Sequence, residues 1–229
     1  MVPIRHAVAP AALLIAALAA CDGGSGPPIP VDGFATLRII QTAAVTGGVQ
    51  VEWGGRQIAS GLAQGASSGS VLVEAGAADL VLRAAGGGLV SGSRTLTLVR
   101  GQSYGVAAVD SSGVLLPQML PDTNAIGVPG KSKLRVLHAA AHAPAIDIWR
   151  TQPDFPDQIR VMFPFNYRDI SPYLQSDPGE WSILVTPAGL TDTLYLSLAF
   201  AVGDGRLATA MVMDSSAAGG IWVSVTEDN

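Results

Sequence analysis

The sequence predicts an all-β protein of two tandem antiparallel β-sandwiches, and three observations predict it. Apolar and polar residues alternate with a period of two in runs such as V-Q-V-E-W (49–53), T-L-T-L-V (95–99) and I-W-V-S-V (221–225), the pattern of a strand with one buried face. Glycine and proline turn signals separate those runs, among them Gly54-Gly55, Pro178-Gly179 and Gly203-Asp204-Gly205, a spacing that suits immunoglobulin-like sandwiches. The third observation is self-similarity: Leu37-Arg38-Ile39-Ile40 returns as Leu134-Arg135-Val136-Leu137, 97 residues on. Composition agrees, with 48% apolar but only 6% aromatic residues, 14% charged residues and 27 glycines in 229. Such a chain suits short strands and tight turns, and no stretch carries a helical stripe.

The first element, 1–20, reads as a signal peptide. Met1 to His6 carries one positive charge, Arg5, Ala7 to Ala17 is almost wholly apolar, and small residues end it at Leu18-Ala19-Ala20. These are the three regions of a secretory signal. The apolar run is too short for a span, which needs roughly 20 apolar residues. The ending L-A-A-C resembles the bacterial lipobox, which implies cleavage before Cys21 and lipidation of its thiol. Cys21 is the only cysteine, so no intramolecular disulfide can form. Acyl chains contributing about 0.8 kcal/mol per buried methylene would hold the chain on a membrane. The expected location is the bacterial cell envelope, on a periplasmic or surface face. Residues 21–33, rich in Gly, Ser and Pro, read as a flexible tether.

The first repeat is expected over 34–119 and the second over 131–229. Val49-Gln50-Val51 matches Ile146-Asp147-Ile148 at the offset of 97, whereas Gly76 and Leu80-Val81-Leu82 match Gly179 and Ile183-Leu184-Val185 at 103. The second repeat has therefore gained about six residues, expected in the Pro- and Asp-rich 151–158. Asp110-Ser111-Ser112 matches Asp214-Ser215-Ser216 near each end. Between the repeats, 120–130 reads as a linker, because two prolines and two glycines interrupt any pattern.

The stretch L-R-V-L-H-A-A-A-H-A-P-A-I-D-I-W (134–149) resembles a bacterial envelope family catalogued only as domain of unknown function 4397 (DUF4397). Phe163-Pro164-Phe165, Tyr173 through Gly179 and Val185-Thr186-Pro187-Ala188-Gly189 continue the resemblance, which covers about 131–215. The first repeat matches in outline, with Gln41 where the second has His138. The resemblance implies secreted or lipid-anchored β domains, often in tandem, and no activity.

Charge excludes one class of partner. Loss of Arg5 with the signal leaves 12 basic against 18 acidic residues, with no basic run, so nucleic acid is not expected. No catalytic constellation is visible. G-A-S-S-G (65–69) reads as a glycine-rich loop and not as a nucleophile elbow, and no G-K-[ST] follows Gly86-Gly87-Gly88. Asp192, Asp204 and Asp214 lack the spacing of a calcium loop. His138, His142 and Asp147 are suitable zinc ligands by type. A histidine pair at i, i+4 needs a helix, however, and Pro144 and the strand pattern oppose one. The bland alternative has His138 bonding across a loop and Asp147 holding a backbone N–H. Aromatics concentrate in the second repeat, and 150–170, with Phe155, Tyr167 and Arg168, is the expected binding edge. The sequence thus predicts a non-catalytic binding or structural protein, without cofactor, held to a membrane through Cys21 and presenting its sandwiches to an envelope protein or glycan. The alternative is a metal-binding or enzyme-accessory module on His138, His142 and Asp147.

Overall fold

A computed structural model describes residues 33–86, 89–121, 125–151, 159–215 and 220–228, within one compact unit spanning Val31–Asn229. The expected signal peptide, Cys21, nearly all of the expected tether and Phe155 lie outside the described residues.

The first half runs β1 (Phe34–Gln41), β2 (Val49–Trp53), β3 (Arg56–Leu62), β4 (Ser67–Glu74), β5 (Gly76–Ala84), β6 (Val90–Leu98), β7 (Ser103–Ser111) and β8 (Val114–Leu120). The second runs β9 (Ser132–Ala139), β10 (Ile146–Thr151), β11 (Ile159–Phe165), β12 (Leu174–Ser176), β13 (Gly179–Pro187), β14 (Tyr195–Leu196), β15 (Phe200–Val202), β16 (Leu207–Asp214) and β17 (Ile221–Glu227). The protein is all-β and sandwich-like. In the first half, β3-β2-β5-β6 and β8-β7-β1-β4 are two layers joined by a two-residue β6–β8 pairing, which nearly closes them into a barrel. In the second half the layers are separate sheets, β11-β10-β13-β14 and β12-β9-β16-β17. No sheet of the described residues mixes strands of the two halves.

The expectation of purely antiparallel sheets needs correction, because β1–β7, β9–β16 and β6–β8 pair in parallel. Each half's first strand lies beside a strand reached only after the chain has crossed between layers, and such a crossover permits parallel pairing.

The two halves share register as well as order. Leu37 faces Tyr104 as Leu134 faces Ala208. Val49 faces Ala84 as Ile146 faces Pro187. Even the two register shifts coincide, between Val49/Val51 and Val51/Glu52 in one half and Ile146/Ile148 and Ile148/Trp149 in the other. The offset is 97 residues at β2/β10 and 103 at β3/β11, so the extra residues of the second half fall between Thr151 and Ile159.

Each half has its own core, around Leu37, Val51, Leu82 and Val106 in the first and Val136, Ile148, Val185 and Ala210 in the second. A third cluster joins them. Ile40, Ala107, Val109 and Leu120 meet Leu137, Ala139, Met211 and Met213, all at most 3% exposed. The inner sheets therefore stack face to face, and β1, β7, β9 and β16 are buried on both faces. That is why V-A-A-V and A-M-V-M read as continuous apolar runs without alternation.

Candidate functional site

The seam between the halves is self-complementary. Gln64 Nε2 donates to Asp214 O at 2.9 Å, and Tyr167 Oη, at Gln64's matching position, donates to Asp110 O. Gln118 Nε2 donates to Arg168 O at 2.8 Å, and Ser224 Oγ reaches Gly65 O. Arg38 Nη1 donates to Glu227 O, and Arg135 Nη1 donates to Pro121 O. Each contact has its mate with the halves exchanged, the mark of an isologous interface. Gly65 (φ +82°) has Trp222 so close that a Cβ would lie 2.6 Å from its ring. Arg168 holds the matching left-handed conformation, φ 71°, with a full side chain, which is uncommon outside glycine.

A cleft of about 340 Å³ opens along this seam, lined among others by Arg38, Arg135, Ser70, Tyr104, Tyr173 and Asp228. Asp228 is its electrostatic centre. It pairs with Arg38, lies 3.6 Å from Arg135 Nη2 and accepts from Tyr173 Oη at 2.6 Å. Thr209 Oγ1 accepts from Arg135 Nε at 2.8 Å and donates to Asp228. The Arg135 guanidinium sits 4.7 Å from the Tyr173 ring centre, within cation–π range. Burial, reinforced by the hydrogen bond to Asp228, pushes the Tyr173 phenol well above its ordinary range. The lining offers hydroxyl and aromatic groups, from Ser70 and Tyr104 among others, to a polar ligand and includes neither histidine nor cysteine. The sequence carried a signal for this cleft that its alternation reading passed over. An arginine stands at the same place in two apolar strands, L-R-I-I and L-R-V-L, where burial demands a partner.

A second cleft, about 280 Å³, lies at one end of the first sandwich, lined by Trp53, Arg56, Ile58, Leu72 and Val73 among others.

The structure does not gather the residues considered for metal. His138 is fully buried, accepts from Ala140 N on Nδ1 (3.3 Å) and meets Pro144 O with Nε2 (3.2 Å). Those partners fix the neutral tautomer protonated on Nε2. Burial holds its pKa below the ordinary histidine value. His142 is exposed and bonds Asp214 through its backbone N and Nδ1, both at 3.2 Å. Asp147 is buried, faces Arg160 at 3.2 Å and accepts from Gly189 N at 3.0 Å. The three side chains thus point to three different sets of partners, because a strand, a turn and a second strand carry them. No group of metal-ligating residues occurs among the described residues.

The structure describes two of the three residues of the expected binding edge. Tyr167 and Arg168 face the first half, and Arg168 Nε bonds Gln118 Oε1 at 3.0 Å. Burial pushes the Tyr167 phenol up to about 12, with Asp110 adding to it. Both side chains are seam contacts rather than a free edge, since the β11–β12 connection folds onto the other half.

A family model described as domain of unknown function (DUF4397) matches residues 35–149. The match takes in the first half's strands from Ala35 onward and reaches Trp149 in β10, whereas the motifs of the resemblance lie at 131–215. No curated protein matches the chain. Among solved structures, the Bacillus anthracis TIE protein aligns at 11% identity and TM-score 0.28, over 80% of this chain and 34% of its own. A leucine-rich repeat protein from Bacteroides thetaiotaomicron VPI-5482 aligns at 14% identity and TM-score 0.23, over 80% of this chain and 26% of its own. CBMbc (family CBM26) from Eubacterium rectale Amy13K, in complex with maltoheptaose, aligns at 14% identity and TM-score 0.24, over 83% of this chain and 95% of its own. The chain thus spans about a third or less of the first two. At such TM-scores none of these likenesses bears on function.

Proposed function

The chain belongs to the DUF4397 family, and on that premise we propose that it is a non-catalytic binding protein of the bacterial envelope, anchored through lipid on Cys21. Its body is a duplicated sandwich, and the seam cleft receives a polar partner, a glycan or an envelope protein. The duplication rests on shared strand order, register and register shifts. The lipid anchor rests on L-A-A-C and the single cysteine.

The observation that carries the non-catalytic reading is the commitment of the chemistry-bearing side chains. His138, Asp147 and Asp214 are spent on backbone groups of their own half, and Arg38 on the seam. A general base needs a lone pair aimed at a substrate; His138 Nδ1 and both Asp214 oxygens accept from backbone N–H groups instead, and Asp147 holds Gly189 N through Oδ2 while its Oδ1 is buried. The cleft, by contrast, holds hydrogen-bonding groups in a rigid frame, which suits recognition.

Cross-linked capture from native cells tests this reading, comparing wild type with Cys21→Ser and with Ser70→Trp, which fills the cleft. The expected result is an N-terminal lipid on wild type and a partner lost from both variants. Capture unchanged by Ser70→Trp refutes the cleft as the binding place, and an unmodified Cys21 refutes the anchor.

A further inference from the structure

The two halves are alike enough that a difference at matching positions reports what the fold does not require. One such difference lies at one end of the first sandwich. Phe34, Leu72 and Val99 are 57%, 68% and 56% exposed. They lie together: Phe34 and Leu72 are diagonal neighbours on the β1–β4 pair, and the turn that carries Val99 bonds Phe34 through Gly101 N at 2.9 Å. The registers set Lys131, Gln175 and Gly203 at these places in the second half. A polar end satisfies the same fold there, with Lys131 paired to Asp177 at 2.6 Å.

Beside this patch the first half is open and the second is closed. Trp53 donates to Glu74 O from β2, and Trp181 donates to the matching Asp177 O from β13. In the second half, Arg150 lies over Trp181 at 4.2 Å and fills the end. In the first, Ala78 stands where Trp181 would be, and the 280 Å³ cleft remains, with Arg56 at its side.

This is also the end where the N-terminal chain joins. Gly33 O accepts from Ala75 N at 2.9 Å, and Gly33 packs against Arg100. Eleven residues, twelve peptide steps, separate Cys21 from Gly33, a reach of at most about 40 Å. A tether this short keeps the effective concentration of the bilayer high and adds to the affinity the apolar surface has by itself. Exposed apolar side chains flanked by arginines are the composition of an interfacial contact.

We propose that this end of the first sandwich, through Phe34, Leu72 and Val99 with Arg56 and Arg100 beside them, rests in the headgroup layer of the bilayer that holds the anchor, leaving the second half in solution. The proposal rests on lipidation of Cys21. The lipidated chain is reconstituted in phosphatidylethanolamine–phosphatidylglycerol vesicles containing brominated lipid, with a fluorophore at Leu72→Cys or, separately, at Gln175→Cys. Quenching is expected to be at least threefold stronger at 72, and equal quenching overturns the proposal. A second arm sediments the unlipidated Cys21→Ser chain with the same vesicles. At least fivefold more is expected to bind than of a Phe34→Lys/Leu72→Gln/Val99→Gly variant, whose new residues are those the second half already carries. Equal binding also overturns the proposal. Intact mass reads Cys21 independently: an unmodified cysteine sinks the anchor, while the sedimentation arm still decides the face.

Discussion

At the scale of single residues, burial turns chemistry-bearing side chains into structural ones. His138 is the clearest case. Its neutral form is bonded on both nitrogens, and burial holds its pKa below the ordinary 6.5. The unfolded chain therefore binds a proton that the folded chain resists. Stability is full above about pH 6.5 and falls as the pH drops below it. Gln41 fills the matching place in the first half, also fully buried, and donates to Ala43 O at 2.7 Å. His138→Gln is thus expected to fold and to flatten the pH dependence between 7.5 and 5.0, as read by urea melts. An unchanged slope would place the acid sensitivity elsewhere. Asp228 bears the opposite kind of load. With Arg38 and Arg135 both buried around it, Asp228→Asn leaves cationic charge without its counterion and is expected to cost about 3 kcal/mol in chemical denaturation.

At the scale of elements, matching strands solve one packing problem with different residues. On the β2–β3 pair Gln50 Nε2 donates to Gln57 Oε1, and at the same places on β10–β11 stand Asp147 and Arg160. Glu52 and Arg83 form an ion pair where Trp149 donates to Thr186 Oγ1. Cross-strand pairs are the unit of sheet stability, and they exchange as pairs. Arg160→Gln alone leaves Asp147 buried without its cation. The expected loss is about 2 kcal/mol, less than for a fully buried pair because Arg160 is partly exposed. The double change Asp147→Gln/Arg160→Gln copies the first half and is expected to recover most of that loss in a double-mutant cycle. The strands themselves were legible wherever one face is wet, as in V-Q-V-E-W. They were less so in β1, β7, β9 and β16, where both faces are buried and alternation disappears. His138, His142 and Asp147 are close in sequence, but β9, the following turn and β10 aim them at different partners.

At the scale of the whole molecule, the seam decides behaviour. Met211 and Met213 are fully buried between the inner sheets, and each buried side chain of this kind contributes about 1.5–3 kcal/mol. The two halves are therefore expected to unfold in one calorimetric transition. Met211→Asp places an unpaired charge in that layer and is expected to split the transition in two. A single transition at unchanged temperature would show that the seam contributes little.

The sequence by itself determined the β class and the place of the extra residues, because alternation, turn chemistry and fixed offsets are local and survive in the order of the letters. It also held the repeated arginine, whose meaning needed a partner 190 positions away, from Arg38 to Asp228. Only the tertiary structure decided that the halves stack face to face, that Tyr167 and Arg168 belong to that seam, and that one end of the first sandwich stays apolar where its counterpart is closed. These are facts of pairing between distant surfaces. Burial on a strand's second face depends on what packs there, and no periodicity within the strand records it.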